Sequence, residues 1–169
     1  GSVYNELGAT AIDNYDGDIS TSIVIDASSL NTAVVGYYIV SYDVSDSNGN
    51  SGRINREIYI VDTTLPVITL TGANPQIVDL NTIYTEQGAT ANDNYDGDIT
   101  GDIVIDASAI NLAAVNCYPV TYNVLDASGN AANQQTRIVF VLEPGKPFAK
   151  SDAYSVDKNS QNNNFTIRV

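Results

Sequence analysis

The chain has 169 residues, of which 43% are hydrophobic and 16% charged, and its formal net charge is −13. This composition is too apolar for a disordered linker and supports one or two packed domains. The negative field repels phosphate backbones and anionic lipid surfaces, so we predict no nucleic-acid partner and no membrane insertion. Histidine is absent and cysteine occurs once, which excludes the commonest general base and an intrachain disulfide.

Residues that favour strands dominate the chain. Val, Ile, Thr and Tyr recur throughout, and no stretch keeps a helical period of 3.6 residues. No apolar run approaches the ~20 residues of a membrane span. An all-β fold is therefore predicted. Cys117, which stands where the first half of the chain has Tyr37, is expected to be a free, buried thiol in a strand.

The chain repeats itself at an offset of 80 residues. Residues 4–61 align with residues 84–141 without a gap, and roughly half of the positions are identical. The longest shared block reads GATAIDNYDGDI at residues 8–19 and GATANDNYDGDI at residues 88–99. A module of ~80 residues is too long for a solenoid turn and suits a small β-sandwich.

The first copy contains a clear strand and turn. Residues 40–44 alternate apolar and polar side chains, which predicts a strand with one buried and one solvated face. The Asp, Gly and Asn of residues 46–50 predict a hairpin turn. This copy has no counterpart of residues 66–79, so we expect it to lack its first strand and to expose a sheet edge.

The second copy is predicted to be complete, with its late hairpin at residues 126–130. Its predicted strands cover residues 66–70, 76–79, 88–91, 103–106, 118–125 and 134–142. The predicted domains are residues 1–62, a repeat without its first strand, and residues 63–142, a complete repeat. Residues 143–169 are predicted to form a Pro/Gly linker and the start of a truncated third β module.

The order of the motifs points to a known family. An Asp-x-Thr-x-Pro-like junction at residues 62–66, the GATAxDNxDGDI blocks and the Asp-x-x-Gly-Asn hairpins resemble bacterial immunoglobulin-like (Ig-like) repeats, related to hyalin-type repeats. Such repeats occur in tandem in surface adhesins, S-layer proteins and secreted polysaccharide enzymes. The resemblance implies tandem Ig-like β-sandwiches, secreted or at the cell surface, in a structural or adhesive role. Residues 147–156 are similar to the opening of cadherin-like adhesin repeats.

Acidic segments are predicted to converge at one pole of each sandwich. In the second copy these are the junction with Asp62, the loop of residues 93–98 and the hairpin of residues 126–130. Repulsion among the carboxylates is relieved by a hard cation with six to eight oxygen ligands, and the lack of His and Cys ligands favours Ca²⁺ over zinc. The candidate ligands are Asp62, Asp93, Asn94, Asp96, Asp98, Asp126 and Asn130, with Asp13, Asn14, Asp16, Asp18, Asp46, Asn50 and Glu6 in the first copy.

Two interpretations of these loops stay open. An ion held by Asp62 and the next module would stiffen the junction between modules, and Glu6 is predicted to face that junction. Alternatively, Asp93 and Asp98 cap turns by accepting backbone N–H bonds, with Gly97 at positive φ. The two roles are compatible with each other.

The leading functional hypothesis is a non-catalytic spacer that supports adhesion, with neighbouring domains, a surface polysaccharide or another surface protein as partners. The alternative is a carbohydrate-binding or accessory module of a secreted polysaccharide-degrading enzyme, in which Tyr15 and Tyr95 stack on sugar rings. Enzymatic activity is not expected, because no nucleophile triad, phosphate loop or metal-hydrolase motif occurs. A Lys-Asn crosslink inside either copy is excluded, since every lysine follows residue 145.

Overall fold

The structure, a computed structural model, describes residues 3–145. These residues fall into two compact units, which divide between Thr64 and Leu65. No helix in the described range is long and apolar enough to cross a membrane. The predicted start of a third module lies largely in residues 146–169, outside the described residues.

The first unit consists of two small antiparallel sheets. Strand β1 pairs with β2, and β3, β4 and β5 form the other sheet in that order. The strands are β1 (Ile12–Asp13), β2 (Gly17–Asp18), β3 (Val24–Asp26), β4 (Gly36–Ser45) and β5 (Ser51–Ile60), with a short 3₁₀ turn at Ser20–Ser22.

The second unit has the same succession of elements preceded by two more strands. Its sheets run β10-β11-β12-β7 and β6-β8-β9, and within residues 65–145 only β7 pairs in parallel, with β12. The strands are β6 (Val67–Leu70), β7 (Gln76–Asp79), β8 (Ala89–Asp93), β9 (Gly97–Asp98), β10 (Val104–Asp106), β11 (Asn116–Asn123) and β12 (Gln135–Leu142), with a 3₁₀ turn at Thr100–Asp102.

Both sheets of the second unit contribute to its core. Ile68 and Ala91 come from one sheet, while Val120, Tyr122 and Val139 come from the other, and all are buried. Alternate residues of β11 and β12 point inward because side chains in a strand alternate between faces. Burial of each aliphatic side chain contributes about 1.5–3 kcal/mol relative to exposure. The fold is therefore all-β, as predicted.

Cys117 is exposed, so the prediction of a buried thiol is wrong. The residue lies on β11 immediately before Tyr118, whose side chain is buried. Because neighbouring strand residues point to opposite faces, a buried Tyr118 directs Cys117 to solvent. Tyr37, at the matching position of β4, is likewise exposed.

The gapless alignment of the two halves is wrong beyond the hairpin. Val40 lies opposite Arg56 on β5, and Val120 lies opposite Arg137 on β12. The first residues of these pairs differ by 80 (120 − 40) and the second by 81 (137 − 56). The second unit therefore has one extra residue between its hairpin and β12, next to an isolated bridge between Leu125 and Ala131.

Candidate metal centre

Asp93 organises the tight turn between β8 and β9. Its Oδ1 accepts the N–H of Tyr95 at 2.7 Å and that of Asp96 at 3.0 Å. Gly97, at φ 73°, completes the turn in a conformation that costs glycine little. Asp98 accepts the N–H of Thr100 at 2.9 Å. The predicted turn-capping role of Asp93 and Asp98 is thus confirmed by their hydrogen bonds.

The turn is tied to the hairpin that follows β11. Asp96 Oδ2 accepts the N–H of Ala127 at 2.8 Å. Asp126 closes the hairpin, since its Oδ1 accepts the N–H of Asn130 and its Oδ2 accepts the Asn130 side-chain amide, both at 2.7 Å. These bonds bring two distant acidic segments of the second unit to one place.

Asp93 and Asp126 form a buried pair of carboxylates. They are 3% and 6% exposed, and each offers an oxygen within 4.8 Å of the other. The backbone N–H groups of Asp96 and Tyr95 lower the pKa of Asp93, which keeps it ionised at neutral pH. Its Oδ2 is buried, and no donor in residues 3–145 reaches it. This oxygen is the least satisfied polar atom of the pair.

The first unit repeats the arrangement closer to solvent. Oxygens of Asp13, Asp16 and Asp46 lie within 4.8 Å of one another, and all three residues are half-buried. Asp16 accepts the N–H and the hydroxyl of Ser47 at 2.8 and 2.9 Å, which ties loop to hairpin as Asp96 does. Bonds from Asn50 lower the pKa of Asp46.

The remaining predicted metal ligands differ in their exposure and hydrogen bonds. Asp18 is exposed, and its Oδ1 accepts the N–H of Ser20 at 2.9 Å. Asn14 and Asn94 are exposed at the turns. Asp62 ends the first unit and accepts the N–H of Thr64 at 3.1 Å. Its predicted part in a shared ion site stays a prediction.

Glu6 belongs to a polar network of the first unit, and its predicted part in a metal site stays a prediction. Its carboxylate accepts hydrogen bonds from the Tyr4 hydroxyl at 2.5 Å, the Tyr42 hydroxyl at 2.7 Å and the Gly8 N–H at 2.6 Å. Arg56 adds an ion pair at 2.7 Å. These donors, led by Tyr4 and then Tyr42, lower the pKa of Glu6 to about 2. The carboxylate is thereby engaged by its own unit.

The second unit contains the matching network around Arg137, which the sequence analysis missed. Arg137 is completely buried and donates to Gln87 Oε1 at 2.7 Å and to the carbonyls of Thr71 and Gly88 at 2.6 and 2.8 Å. Glu86 accepts bonds from the Tyr84 and Tyr122 hydroxyls. Aligning the arginines at an offset of 81 would have found the pair.

Asp102 is a second residue that the sequence analysis missed. With Asp96 and Asp126 it lines a hollow of about 440 Å³ beside the hairpin. The tyrosines of the acidic loops are exposed to different degrees, Tyr15 at 85% and Tyr95 at 45%. Both rings are thus accessible from solvent.

Comparison with known proteins decides the family. The model of the bacterial surface protein Ig-like domain matches residues 1–60 and 68–141. The chain belongs to this family. The predicted resemblance to bacterial Ig-like repeats is therefore confirmed, and one matched segment of this Ig-like chain lies in each unit. The family supports a structural module of a surface protein.

Two relatives contain a region similar to this Ig-like chain. Pesticidal crystal protein Cry22Aa of Bacillus thuringiensis is 25% identical over 143 residues, which are 83% of this chain and 20% of that protein. An uncharacterised 81.3 kDa protein of Acholeplasma phage L2 is 31% identical over 141 residues, 80% of this chain and 19% of that protein. The chain thus spans about a fifth of each relative.

Solved structures give weaker similarities. The lipoprotein BT2262 of Bacteroides thetaiotaomicron aligns with a TM-score of 0.41 at 20% identity, over 49% of this chain and 40% of that one. Fibronectin(III)-like modules of CbhA from Clostridium thermocellum align with a TM-score of 0.37 at 16% identity, over 71% and 70% of the two chains.

Proposed function

We propose that the chain is an extracellular spacer of a bacterial surface or secreted multidomain protein, which supports adhesion and binds Ca²⁺ at its acidic loops. Membership of the bacterial surface Ig-like family supports the structural part of this proposal. The calcium part rests on one observation. Asp93 is buried with its Oδ2 lacking a donor among the described residues, beside the carboxylate of Asp126.

The energetics of the Asp93 and Asp126 pair favour a bound cation. Leaving a buried polar atom without a partner costs about 1–3 kcal/mol, and more when the atom is charged. The hydrogen bonds that lower the pKa of Asp93 oppose its neutralisation by a proton. A cation beside Asp93 Oδ2 would supply the missing partner and cancel the repulsion between the two carboxylates.

The ligand chemistry selects among cations. The metal ligands available in these loops are carboxylate, amide and backbone carbonyl oxygens, which suit a hard ion. Ca²⁺ accepts irregular sets of six to eight oxygens, whereas Mg²⁺ demands near-octahedral geometry at shorter distances. A hairpin and a tight turn that supply carboxylates from two directions fit Ca²⁺ better. Water and backbone carbonyls would complete its coordination.

Two further elements extend the proposal. Asp13, Asp16 and Asp46 would form a weaker site in the first unit, because their greater exposure screens the charge and reduces the gain from binding. On sequence grounds we propose that Asp62 joins the site of the second unit. An ion bound by both segments would then restrict the junction between the modules.

Calcium binding is tested by thermal unfolding of the whole chain in 1 mM CaCl₂ and in EGTA, with isothermal titration for stoichiometry. A dissociation constant of ~0.1 mM adds about 1–2 kcal/mol at 1 mM ion, which corresponds to a rise in melting temperature of roughly 5–10 °C for a small domain. Mg²⁺ at the same concentration should give a much smaller rise.

Variants locate the ion. Asp93→Asn retains an oxygen that can accept the Tyr95 and Asp96 N–H bonds, so the turn should persist while the calcium-dependent rise in the melting temperature of the second unit disappears. Asp98→Asn is the matched control, because Asp98 is exposed and caps Thr100. Asp62→Asn reports whether that residue takes part. Equal melting in calcium and EGTA for the unmodified chain, with no heat of binding, would refute the calcium part and leave the spacer role intact.

A further inference from the structure

We propose that Asn48, at the tip of the hairpin between β4 and β5, is a site of spontaneous deamidation. The reaction replaces the side-chain amide by a carboxylate and leaves either aspartate or isoaspartate at this position. It is a covalent modification of the chain, and it does not depend on calcium.

The residue after Asn48 favours the reaction. Gly49 follows it, and this is the one Asn-Gly pair among the 169 residues of the sequence. Deamidation begins when the backbone nitrogen of the next residue reaches the side-chain carbon of the asparagine, and a side chain on that next residue obstructs the approach. Glycine has none. A Cβ built at Gly49 would also meet nothing within 4 Å, so the surroundings of this residue are open.

The turn leaves both reacting groups available. Asn48 and Gly49 are exposed, as is usual at a loop tip. The Gly49 N–H donates to the Asp46 carbonyl at 3.2 Å, which is the long end of the normal range, so this bond opposes the reaction only weakly. The Asn48 N–H donates to Asp46 Oδ1 at 2.9 Å and holds the backbone. No group in residues 3–145 forms a hydrogen bond with the Asn48 side-chain amide, which is therefore free to rotate.

Asn50, two residues further on, is protected by its contacts. Its side-chain amide donates to Asp46 Oδ2 at 2.6 Å, which holds the amide away from the backbone. The next residue, Ser51, begins β5 and pairs with Ser45, so its nitrogen belongs to a strand and also carries a side chain nearby. We therefore expect Asn48 to react before Asn50.

The second unit provides a natural comparison. Its hairpin has the same turn, with Gly129 at φ 87° against 86° for Gly49, and the Gly129 N–H donates to the Asp126 carbonyl at 3.1 Å. Ser128 stands where the first unit has Asn48. A serine has no amide to lose, so the same turn in the second unit is inert. The two hairpins thus differ in chemistry and not in conformation.

The reaction balances with water as the other reactant. The Gly49 nitrogen gives its proton to solvent and attacks the side-chain carbon of Asn48, which forms a new carbon–nitrogen bond. The bond from that carbon to the amide nitrogen breaks, and the nitrogen leaves as ammonia. Water then opens the cyclic succinimide. Cleavage of the new bond gives aspartate, whereas cleavage of the original peptide bond gives isoaspartate with a longer main chain. No oxidation or reduction occurs.

The product places a new negative charge in an acidic hairpin. Asp46 lies in the same turn, and Asp16 accepts the N–H of Ser47 at 2.8 Å. Like charges so close together repel each other. Isoaspartate also lengthens the main chain inside a turn that the Ser45 and Ser51 pair closes. Both products should therefore weaken the attachment of the hairpin to the acidic loop and lower the melting temperature of the first unit.

Ageing of the purified whole chain at mildly alkaline pH and 37 °C, followed by peptide mapping with mass spectrometry, tests the proposal. Over days to weeks we expect residues 46–50 to gain the mass difference between an amide and a carboxylate. Isoaspartyl methyltransferase should transfer labelled methyl groups to the aged chain. Asn48→Ser, which introduces the residue of the second unit and retains Asn50, should remove both signals.

A second variant isolates the effect of the charge. Asn48→Asp adds the carboxylate without lengthening the main chain and should melt below the fresh chain, and an unchanged melting temperature would overturn the expected repulsion. Equal mass gain in Asn48→Ser would place the reaction at Asn50 and overturn the assignment. A synthetic peptide of residues 45–51 that deamidates while the folded chain does not would show that the hairpin blocks the reaction, which would also overturn the proposal.

Discussion

The guanidinium carbon of Arg137 lies 5.6 Å from the centroid of the Tyr122 ring, in the interior of the second unit. Arg56 lies over Tyr42 at 5.0 Å in the first unit, but it is partly exposed. The same cation-π contact is therefore buried in the second unit and partly exposed to solvent in the first. Burial strengthens such a contact because water competes less for the cation.

Replacement of Arg137 should be far more damaging than replacement of Arg56. Arg137→Met removes the buried donor of the Thr71 carbonyl and one of the two donors of the Gly88 carbonyl, so we expect the second unit to lose about 3 kcal/mol of unfolding free energy. Arg56→Met should cause a clearly smaller loss, since water can replace its bonds. Urea denaturation followed by circular dichroism measures both, and equal losses would contradict the role of burial.

Acid should destabilise the first unit through Glu6. Bonds from Tyr4 and then Tyr42 lower its pKa from 4.5 to about 2 in the folded state. A lowered carboxyl pKa stabilises the folded state above the unfolded pKa, and this contribution is lost as the pH falls from about 4.5 to 2. Denaturation midpoints between pH 7 and 2 should fall accordingly. Glu6→Gln should flatten this dependence, whereas Glu57→Gln, at an exposed position, should leave it unchanged.

Alkali should destabilise the second unit through Tyr122. Burial, together with the bond to Glu86, raises the pKa of Tyr122 to about 12 from 10.0. A raised phenol pKa contributes stability that is complete below the unfolded value and is lost as the pH rises from 10 towards about 12. Ultraviolet absorbance at 295 nm should show delayed tyrosinate formation in the folded chain. Glu86→Gln should shorten that delay without abolishing it, because burial is the larger cause of the raised pKa.

Gly97 should resist substitution because of its backbone conformation and not for lack of space. Its φ is 73°, and a Cβ built there meets nothing within 4 Å. Gly97→Ala should therefore cost about 1 kcal/mol from the left-handed conformation. Gly101→Ala is the control, since that position is equally open but has no positive φ. Equal melting temperatures for the two variants would rule out this explanation.

Removal of the exposed ring of Tyr15 or Tyr95 distinguishes the spacer hypothesis from the carbohydrate-binding hypothesis. Tyr15 is 85% exposed, so Tyr15→Ala should leave the melting temperature unchanged. A spacer should show no reproducible retention on a polysaccharide array. Retention that disappears in Tyr15→Ala or Tyr95→Ala would favour the carbohydrate-binding function.

The local features of this chain follow from sequence alone. Alternation of apolar residues predicts β11 and β12 to within two residues at each end, because side chains in a strand alternate faces. The Asp, Gly and Asn of residues 126–130 predict the hairpin, since these residues bond their own backbone. The acidic turns are predictable for the same reason. Such features depend on residues that are close in the chain.

Other features were decided by tertiary structure. The one-residue shift between Arg56 and Arg137 comes from an extra residue in the second unit, which the strand pairing reveals and the gapless alignment missed. Strand pairing also directs the side chain of Cys117 to solvent. It brings the Tyr42 hydroxyl within hydrogen-bond distance of Glu6, which is 36 residues away in the sequence. Ala91 is buried and lies opposite Ile68 of β6, whereas the identical residue Ala11 is half-buried. Burial depends on the neighbours that packing supplies, and these neighbours are distant in sequence.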